Sequence, residues 1–348
     1  MHMFRARSLM AVWLSIFVLT SIPTRSSAAD TAADFYKGKT VTLISGSAAG
    51  GGYDLYVRLL ADALRKHIPG SPALIVQNRV GAGGLAALEY VYNVAPKDGT
   101  YIIMPFNVDP MYAVLQPDRV RFDLSKLVWL GNMAELSNVL AVTKEAGVAS
   151  IEDVRAREVI MAGSGDGSQT SMIPMLFNKL SGTRFRVVSG YKGTASMMLS
   201  MQRGETQGRV GSWYSFSVSH PDLAREGRLV ILAQDGLRRH TDLPGVHLYE
   251  ELMSDPKARA IMRFVSYPVA TSRALALAPG APPDRIAALR AAFIAAMKDP
   301  DLLATAAKRK MEIHPSGHAE VERTLAELYS TPPDIVAEIR AIMAPPKR

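Results

Sequence analysis

Two glycine-rich turns carry the residues of this sequence best placed to do chemistry. Gly46-Ser47-Ala48-Ala49-Gly50-Gly51-Gly52 follows an apolar run at 40–45 and precedes a helical pattern. Gly163-Ser164-Gly165-Asp166-Gly167-Ser168 follows a similar run at 159–162. A strand that feeds such a turn and then a helix leaves backbone N–H groups at the helix start without internal partners, and those donors attract anions. Glycine permits close backbone approach, while Ser47, Ser164, Ser168 and Thr170 add hydroxyl donors beside the same turns. Two such turns facing one another across a cleft would clamp a carboxylate; the plainer alternative is that they only make tight turns in an α/β sheet.

Other chemistries fit less well. The first turn lacks the Lys-Ser/Thr of a phosphate-binding loop, because Tyr53-Asp54 follows Gly52. A dinucleotide site expects an acidic residue after the second strand, where Gln77-Asn78-Arg79 stands. Ser164 occupies the wrong place in Gly163–Gly167 for a nucleophile elbow. The closest histidine pair after His2, His314 and His318, is separated by Pro315 and Gly317, which disfavours the helical face a zinc pair needs. Asp54 falls in the first helical turn, where its charge is favourable and its oxygens can brace the loop; direct contact with a ligand would require an amine or hydroxyl. Trp213-Tyr214 follows a predicted strand at 207–210, so Trp213 is either core or the wall of a pocket for an aromatic or long-chain acid. Lys192 and Arg209 are the nearest cationic candidates.

The elements that must position these residues alternate along the chain. Strands are expected at 40–45, 73–77 and 100–105, with a helix after the first turn and a second glycine turn, Gly81–Gly84, leading into 85–94. That opening is a βαβ unit, which implies parallel sheet. Residues 139–143 read as a crossover strand into a second lobe, with further strands at 159–162, 186–188, 207–210, 229–233 and 274–278. Pro279-Gly280-Ala281-Pro282-Pro283 reads as the return hinge, and amphipathic helices close the chain.

Composition narrows the class. Arg5 and Arg7, the apolar run 9–19 and Ser26-Ser27-Ala28-Ala29 form a secretory signal peptide, too short in its apolar part for a membrane span. Cleavage before Asp30 leaves 319 of the 348 residues, enough for two lobes. Loss of Arg5, Arg7 and Arg25 lowers the net charge of +8 by three, to +5. Basic residues are scattered among acids, which argues against nucleic-acid binding. The chain has no cysteine, hence no disulfide, thiolate metal site or lipoprotein anchor.

The ordered motifs resemble a known family. Gly50-Gly51-Gly52-Tyr53-Asp54 with Arg58, then Val76-Gln77-Asn78-Arg79-Val80-Gly81-Ala82-Gly83-Gly84, Ala95-Pro96-Lys97-Asp98-Gly99-Thr100, Gly165-Asp166-Gly167-Ser168 and Gly190-Tyr191-Lys192-Gly193-Thr194 are similar to motifs of the substrate-binding receptors of tripartite tricarboxylate transporters, the Bordetella uptake receptor family. The resemblance runs from about Phe35 to the C-terminal helices. It implies an α/β, two-lobed type II periplasmic binding protein fold, each lobe a mostly parallel sheet flanked by helices, that closes on a carboxylate. It also implies delivery to two integral membrane transporter subunits, a large and a small permease component. Gly46-Ser47 replaces the family's usual Pro-Phe and its frequent Asp near Ser212 is missing, departures that bear on substrate identity rather than on fold.

The expected organisation is 1–29 signal peptide, 30–138 first part of lobe 1, 139–262 lobe 2, and 263–348 return to lobe 1 with the C-terminal helices. The expected ligand-facing set is Ser47, Ala49, Gly50, Gly51, Asp54, Asn107, Ser164, Gly165, Gly167, Ser168, Thr170, Tyr191, Gly193, Thr194 and Trp213. No catalytic residue, metal ligand or cofactor is expected, and the protein should be a periplasmic monomer without nucleic-acid partner or membrane anchor. Its function is then capture of a small carboxylate, a di- or tricarboxylate, acidic amino acid or aromatic acid. The alternatives are an exported sensor module and an exported hydrolase or transferase.

Overall fold

The computed structural model describes residues 31–120, 122–165, 168–219 and 227–343. The signal-peptide reading of 1–29 lies outside them. Among the described residues eleven strands form two sheets: β1 (Thr40–Ser45), β2 (Ala73–Asn78), β3 (Tyr101–Met104), β4 (Val128–Asn132), β10 (Ala274–Leu277) and β11 (Ser316–Gly317) in the first, ordered β11-β4-β10-β3-β1-β2. The second, ordered β7-β6-β8-β5-β9, contains β5 (Asn138–Thr143), β6 (Val159–Ala162), β7 (Phe185–Val188), β8 (Gly208–Ser212) and β9 (Leu229–Gln234).

Both sheets are mixed. β1 pairs in parallel with β2 and β3, and β6 with β7 and β8, as right-handed strand-helix-strand units require. The strands that enter from the other lobe are inserted antiparallel: β10 against β3 and β4, and β5 against β8 and β9. The chain crosses between the sheets at 133–137 and again between Gln234 and Ala274. The expected return hinge, Pro279–Pro283, is therefore misplaced: it joins β10 to the helix Pro283–Ala296 within one lobe, because the chain has already re-entered the first sheet at β10.

Local sequence explains the elements that carry the first turn. β1 is buried on both faces from Val41 to Ser45, as a central strand covered by helices on each side must be. The helix Gly52–His67 buries Tyr56, Val57, Leu60, Ala63 and Leu64 at helical spacing. It carries Asp54 in its first turn and Arg65, Lys66 and His67 in its last, the signs that its dipole favours. In-register pairing ends with Ser45 opposite Asn78, which brings the two glycine turns together: a Cβ on Gly46 would stand 3.0 Å from Gly84 Cα. Gly84, at φ +99° and packed on the Phe106 ring, has no room for a side chain either.

The lobes share apolar contacts as well as crossovers. One buried cluster runs from Ile44 and Ile103 under the first sheet to Leu140, Met161 and Phe177 under the second. The helix Pro333–Met343 of the C-terminal segment packs against the helix Gln169–Ser181 of the second lobe. The helix Pro256–Ala270, capped by Asp255 and opened by Pro256, carries the return crossing. No helix among the described residues is long and apolar enough to cross a membrane.

Two buried carboxyls make stability depend on pH. Burial pushes Asp109 up to about 8, against the one hydrogen bond it accepts from Phe106 N at 2.9 Å. Burial likewise pushes Asp235 up to about 6, although Ser266, Asn138 and Gly236 donate to it. Each group binds its proton more tightly folded than unfolded, so its contribution is complete below the ordinary carboxylate range and is lost as pH rises through its folded value. Urea denaturation should therefore give a stability that declines between about pH 5 and pH 8. Asp109→Asn, which mimics the protonated acid, should flatten the upper part of that decline; an unchanged slope would contradict the assignment.

Candidate functional site

At the end of β1 the first turn is held by its own side chains. Asp54 is 1% exposed, and its carboxylate accepts from Gly50 N at 2.8 Å, Arg58 Nε at 2.9 Å and Asn78 Nδ2 at 2.8 Å. Burial opposes its ionisation, but these hydrogen bonds outweigh burial and hold the carboxyl below the usual range. Asn78 also donates to Ser47 O at 2.9 Å, and Ser47 Oγ accepts from Asp54 N at 3.1 Å. Gly51 N donates to Ala48 O. The amides of Gly50, Gly51 and Asp54 are thus engaged inside the turn, and Ala49 and Gly50 are exposed at its tip.

The turn after β6 is built in the same way. Ser164 N donates to Thr170 Oγ1 at 2.9 Å, and Ser168 Oγ donates to Gly165 O at 2.7 Å and lies 2.8 Å from Thr170 Oγ1. The hydroxyl hydrogen of Ser168 is therefore committed to the turn. Gly167 lies outside the described residues. In the neighbouring turn Tyr191 N donates to Gly163 O, Tyr191 and Gly193 are half-buried, and Thr194 is exposed.

A cavity of about 330 Å³, reached by the first helical residues after these turns, Gly52 and Gln169, is walled by both lobes. The first lobe supplies Gly52, Tyr53, Tyr56, Asn107 and Arg273; the second supplies Asn138, Gln169, Ser212 and Tyr214. Arg273 is the one charged side chain among the described residues of the lining. Its guanidinium carbon stands 4.0 Å from the centre of the Tyr53 ring and 4.8 Å from that of Tyr56, cation–π distances that hold it in place. Nη1 donates to Ser272 O at 2.6 Å, Nε is buried without a partner, and no carboxylate pairs with it among the described residues. Across the cavity Gln169, the first residue of its helix, has a buried Nε2 that also lacks a partner. A cavity lined by an arginine without a carboxylate partner, and with no acid among its described lining residues, is matched to an anion.

Several sequence expectations land elsewhere. Asn107 lines the cavity, but its side chain accepts from Tyr53 OH at 2.8 Å and donates to Pro268 O at 2.8 Å, so it braces the wall. Trp213 is turned away: its indole donates to Asp242 at 3.0 Å and packs on the outer apolar cluster of the second lobe, leaving the adjacent Tyr214 to line the cavity. Both residues lie just past the end of β8, where the chain turns helical, and only Tyr214 faces the cavity. Arg209 is neither surface nor cleft. It is 3% exposed, its guanidinium lies 5.1 Å from the Phe216 ring, and burial pushes its pKa down to about 10. Lys192 is exposed. Arg273, Gln169, Tyr53 and Tyr214 were missed. Gln169 and Tyr214 adjoin residues that pattern singles out, whereas a lone arginine ahead of an apolar strand carries no signal.

Comparison with known proteins agrees with this architecture. A family model described as "Tripartite tricarboxylate transporter family receptor" matches residues 56–340. The chain is 27% identical to Protein BugT of Bordetella pertussis over 66% of this chain and 71% of that one. A TctC solute binding protein from Polaromonas superposes with a TM-score of 0.68 at 19% identity, covering 88% of this chain and 99% of the other. R. palustris Rpa4515, solved with adipate, superposes at 0.57 and 22% identity, over 87% and 97% of the two chains.

The bracing role of Asp54 is testable apart from any ligand. Asp54→Ala removes three hydrogen bonds to a buried carboxylate and should lower stability by about 2–3 kcal/mol in urea denaturation at neutral pH. A loss within the range of ordinary surface substitutions, about 0.5 kcal/mol, would show that the turn holds without it.

Proposed function

The chain belongs to the tripartite tricarboxylate transporter receptor family, and from that premise we propose that it is an exported periplasmic receptor that captures a small carboxylate between its lobes and delivers it to the two integral membrane subunits of a secondary transporter. The observation that carries this reading is that Arg273 of one lobe and Gln169 of the other line a single cavity whose described lining holds no acid. A carboxylate placed there receives charge-assisted hydrogen bonds from one lobe and an amide donor from the other. Because it touches both lobes only when they are together, it favours the closed form by its differential affinity, and closure is what a membrane partner can read.

The cavity is small for a ligand site, and its aromatic walls suit a short aliphatic chain with an acid at one or both ends. The adipate of the R. palustris protein is such a molecule. The turn residues Ser47, Ala49, Gly50 and Gly51, with Ser164, Gly165, Gly167, Ser168, Thr170, Tyr191, Gly193 and Thr194, form the rim in this reading. The exposed positions of that rim, Ala49, Gly50 and Thr194, would meet a second carboxylate or ordered water, while the amides of Gly50 and Gly51 and the Ser168 hydroxyl stay committed to their own turns. Asp54 and Asn107 support that rim from behind.

A thermal-shift screen of mono-, di- and tricarboxylates on the mature protein tests the class of solute, since a ligand at 100 times its dissociation constant stabilises by about 2.7 kcal/mol. Calorimetry with the best acid should then show Arg273→Met binding at least about thirtyfold more weakly, roughly 2 kcal/mol. An unchanged affinity would remove Arg273 from the site.

A further inference from the structure

His240, Glu312 and His314 come together from distant parts of the chain. His240 lies in the segment after β9 of the second lobe; Glu312 and His314 lie between the helix Pro300–Lys308 and β11 of the first. One ligand atom from each falls within 4.8 Å of the other two. His240 Nε2 and Glu312 Oε2 are 3.5 Å apart, both buried and both without a hydrogen-bond partner. The His240 side chain is 9% exposed. The two form an ion pair when the imidazole is protonated; when it is neutral, no hydrogen bond meets either atom, and a cation bound to both would satisfy them.

From this arrangement we infer that His240, Glu312 and His314 form a site for a divalent transition-metal ion of zinc type that staples the two lobes behind the solute cavity. Metal–ligand bonds of about 2.0–2.2 Å in tetrahedral geometry set ligand atoms about 3.3–3.5 Å apart, which the His240–Glu312 separation already meets. His314, exposed at the rim, has to close by about an ångström. Two imidazoles and one carboxylate, with a fourth position open to water, is an established zinc donor set.

Backbone anchors fix all three ligands: His240 N donates to Gln234 Oε1, His314 N to Met133 O, and Tyr56 OH to Glu312 O. His240 Nδ1 accepts from Asp242 N at 3.1 Å; a metal on Nε2 requires Nδ1 to carry the proton, so the ring has to give up that bond and tilt toward the Asp242 carboxylate, 4.0 Å away, which Trp213 orients. Two arginines line the adjoining cavity of about 360 Å³, but their charges are met elsewhere, Arg238 by Glu135 and Glu320, and Arg239 by Glu251. Residues 135–138 separate this cavity from the solute cavity: Glu135 and Ser137 face the metal side, Leu136 and Asn138 the solute side. None of the three metal ligands lines the solute cavity, although Tyr56 touches both, and the staple stands whether or not a carboxylate binds at Arg273.

The test is titration of the metal-stripped mature protein with Zn²⁺ against a chromophoric chelator, and with Co²⁺ read by its visible absorption. The wild type should take up one equivalent of Zn²⁺, give the intense visible band of four-coordinate Co²⁺, and melt at higher temperature with Zn²⁺ present. His240→Gln and His314→Gln should abolish the Co²⁺ band, and Asp242→Asn should weaken Zn²⁺ binding about 10–100-fold. Anomalous scattering from Zn²⁺-soaked wild-type crystals gives the same answer without relying on a variant that folds. Wild-type protein that binds no stoichiometric Zn²⁺, uptake that persists in the double His→Gln variant, or anomalous density elsewhere on the molecule would each overturn the assignment.

Discussion

A guanidinium lodged between two tyrosine rings without a counter-ion is the constraint around which the cleft is organised. Arg273 stacks on Tyr53 and Tyr56, both of which lie on the helix that follows the first glycine turn. Arg273 is half-buried, so its charge is partly withdrawn from water, and the ring faces offset part of that cost. The rest is recovered when an anion enters. Every other polar group nearby is arranged consistently with that demand: Tyr53 and Asn107 satisfy each other, while Gln169 keeps a donor free on the opposite wall.

The fold makes such a cavity possible because its two sheets exchange strands. β10 and β5 cross into the partner lobe and pair antiparallel there, so the crossing segments lie side by side and end at the cleft. Arg273 immediately precedes β10 and Asn138 begins β5. Each lobe thereby receives cleft residues at the points where the chain changes sheets. The same crossings have a reverse side, and the His240–Glu312–His314 cluster sits on it, where a bond between lobes would act on their relative position without entering the solute's space.

Much of this was legible in the sequence. Glycine turns between an apolar strand and an amphipathic helix announce themselves by composition, and the order of the motifs identified the family before any coordinates. The motifs of the first turn prove to be one network: Asp54 and Arg58 of one motif bond Asn78 of the next, because parallel register places Ser45 beside Asn78. What pattern could not reveal is which residues such a network leaves free. Arg273 is a single arginine in an undistinguished segment, and its role depends on two rings more than 200 positions away in sequence. Trp213 and Tyr214 differ only in which faces inward. The return crossing was misread at Pro279–Pro283 because proline and glycine mark any turn, whereas the true crossing precedes an apolar strand whose partners are set by long-range pairing.

The most direct measurement is a crystal structure of the protein with its bound acid. The account predicts a carboxylate between the lobes, its oxygens about 2.7–3.1 Å from the Arg273 guanidinium and from Gln169 Nε2. An acid seated at another place, with Arg273 still bonded only to Ser272 O, would contradict it.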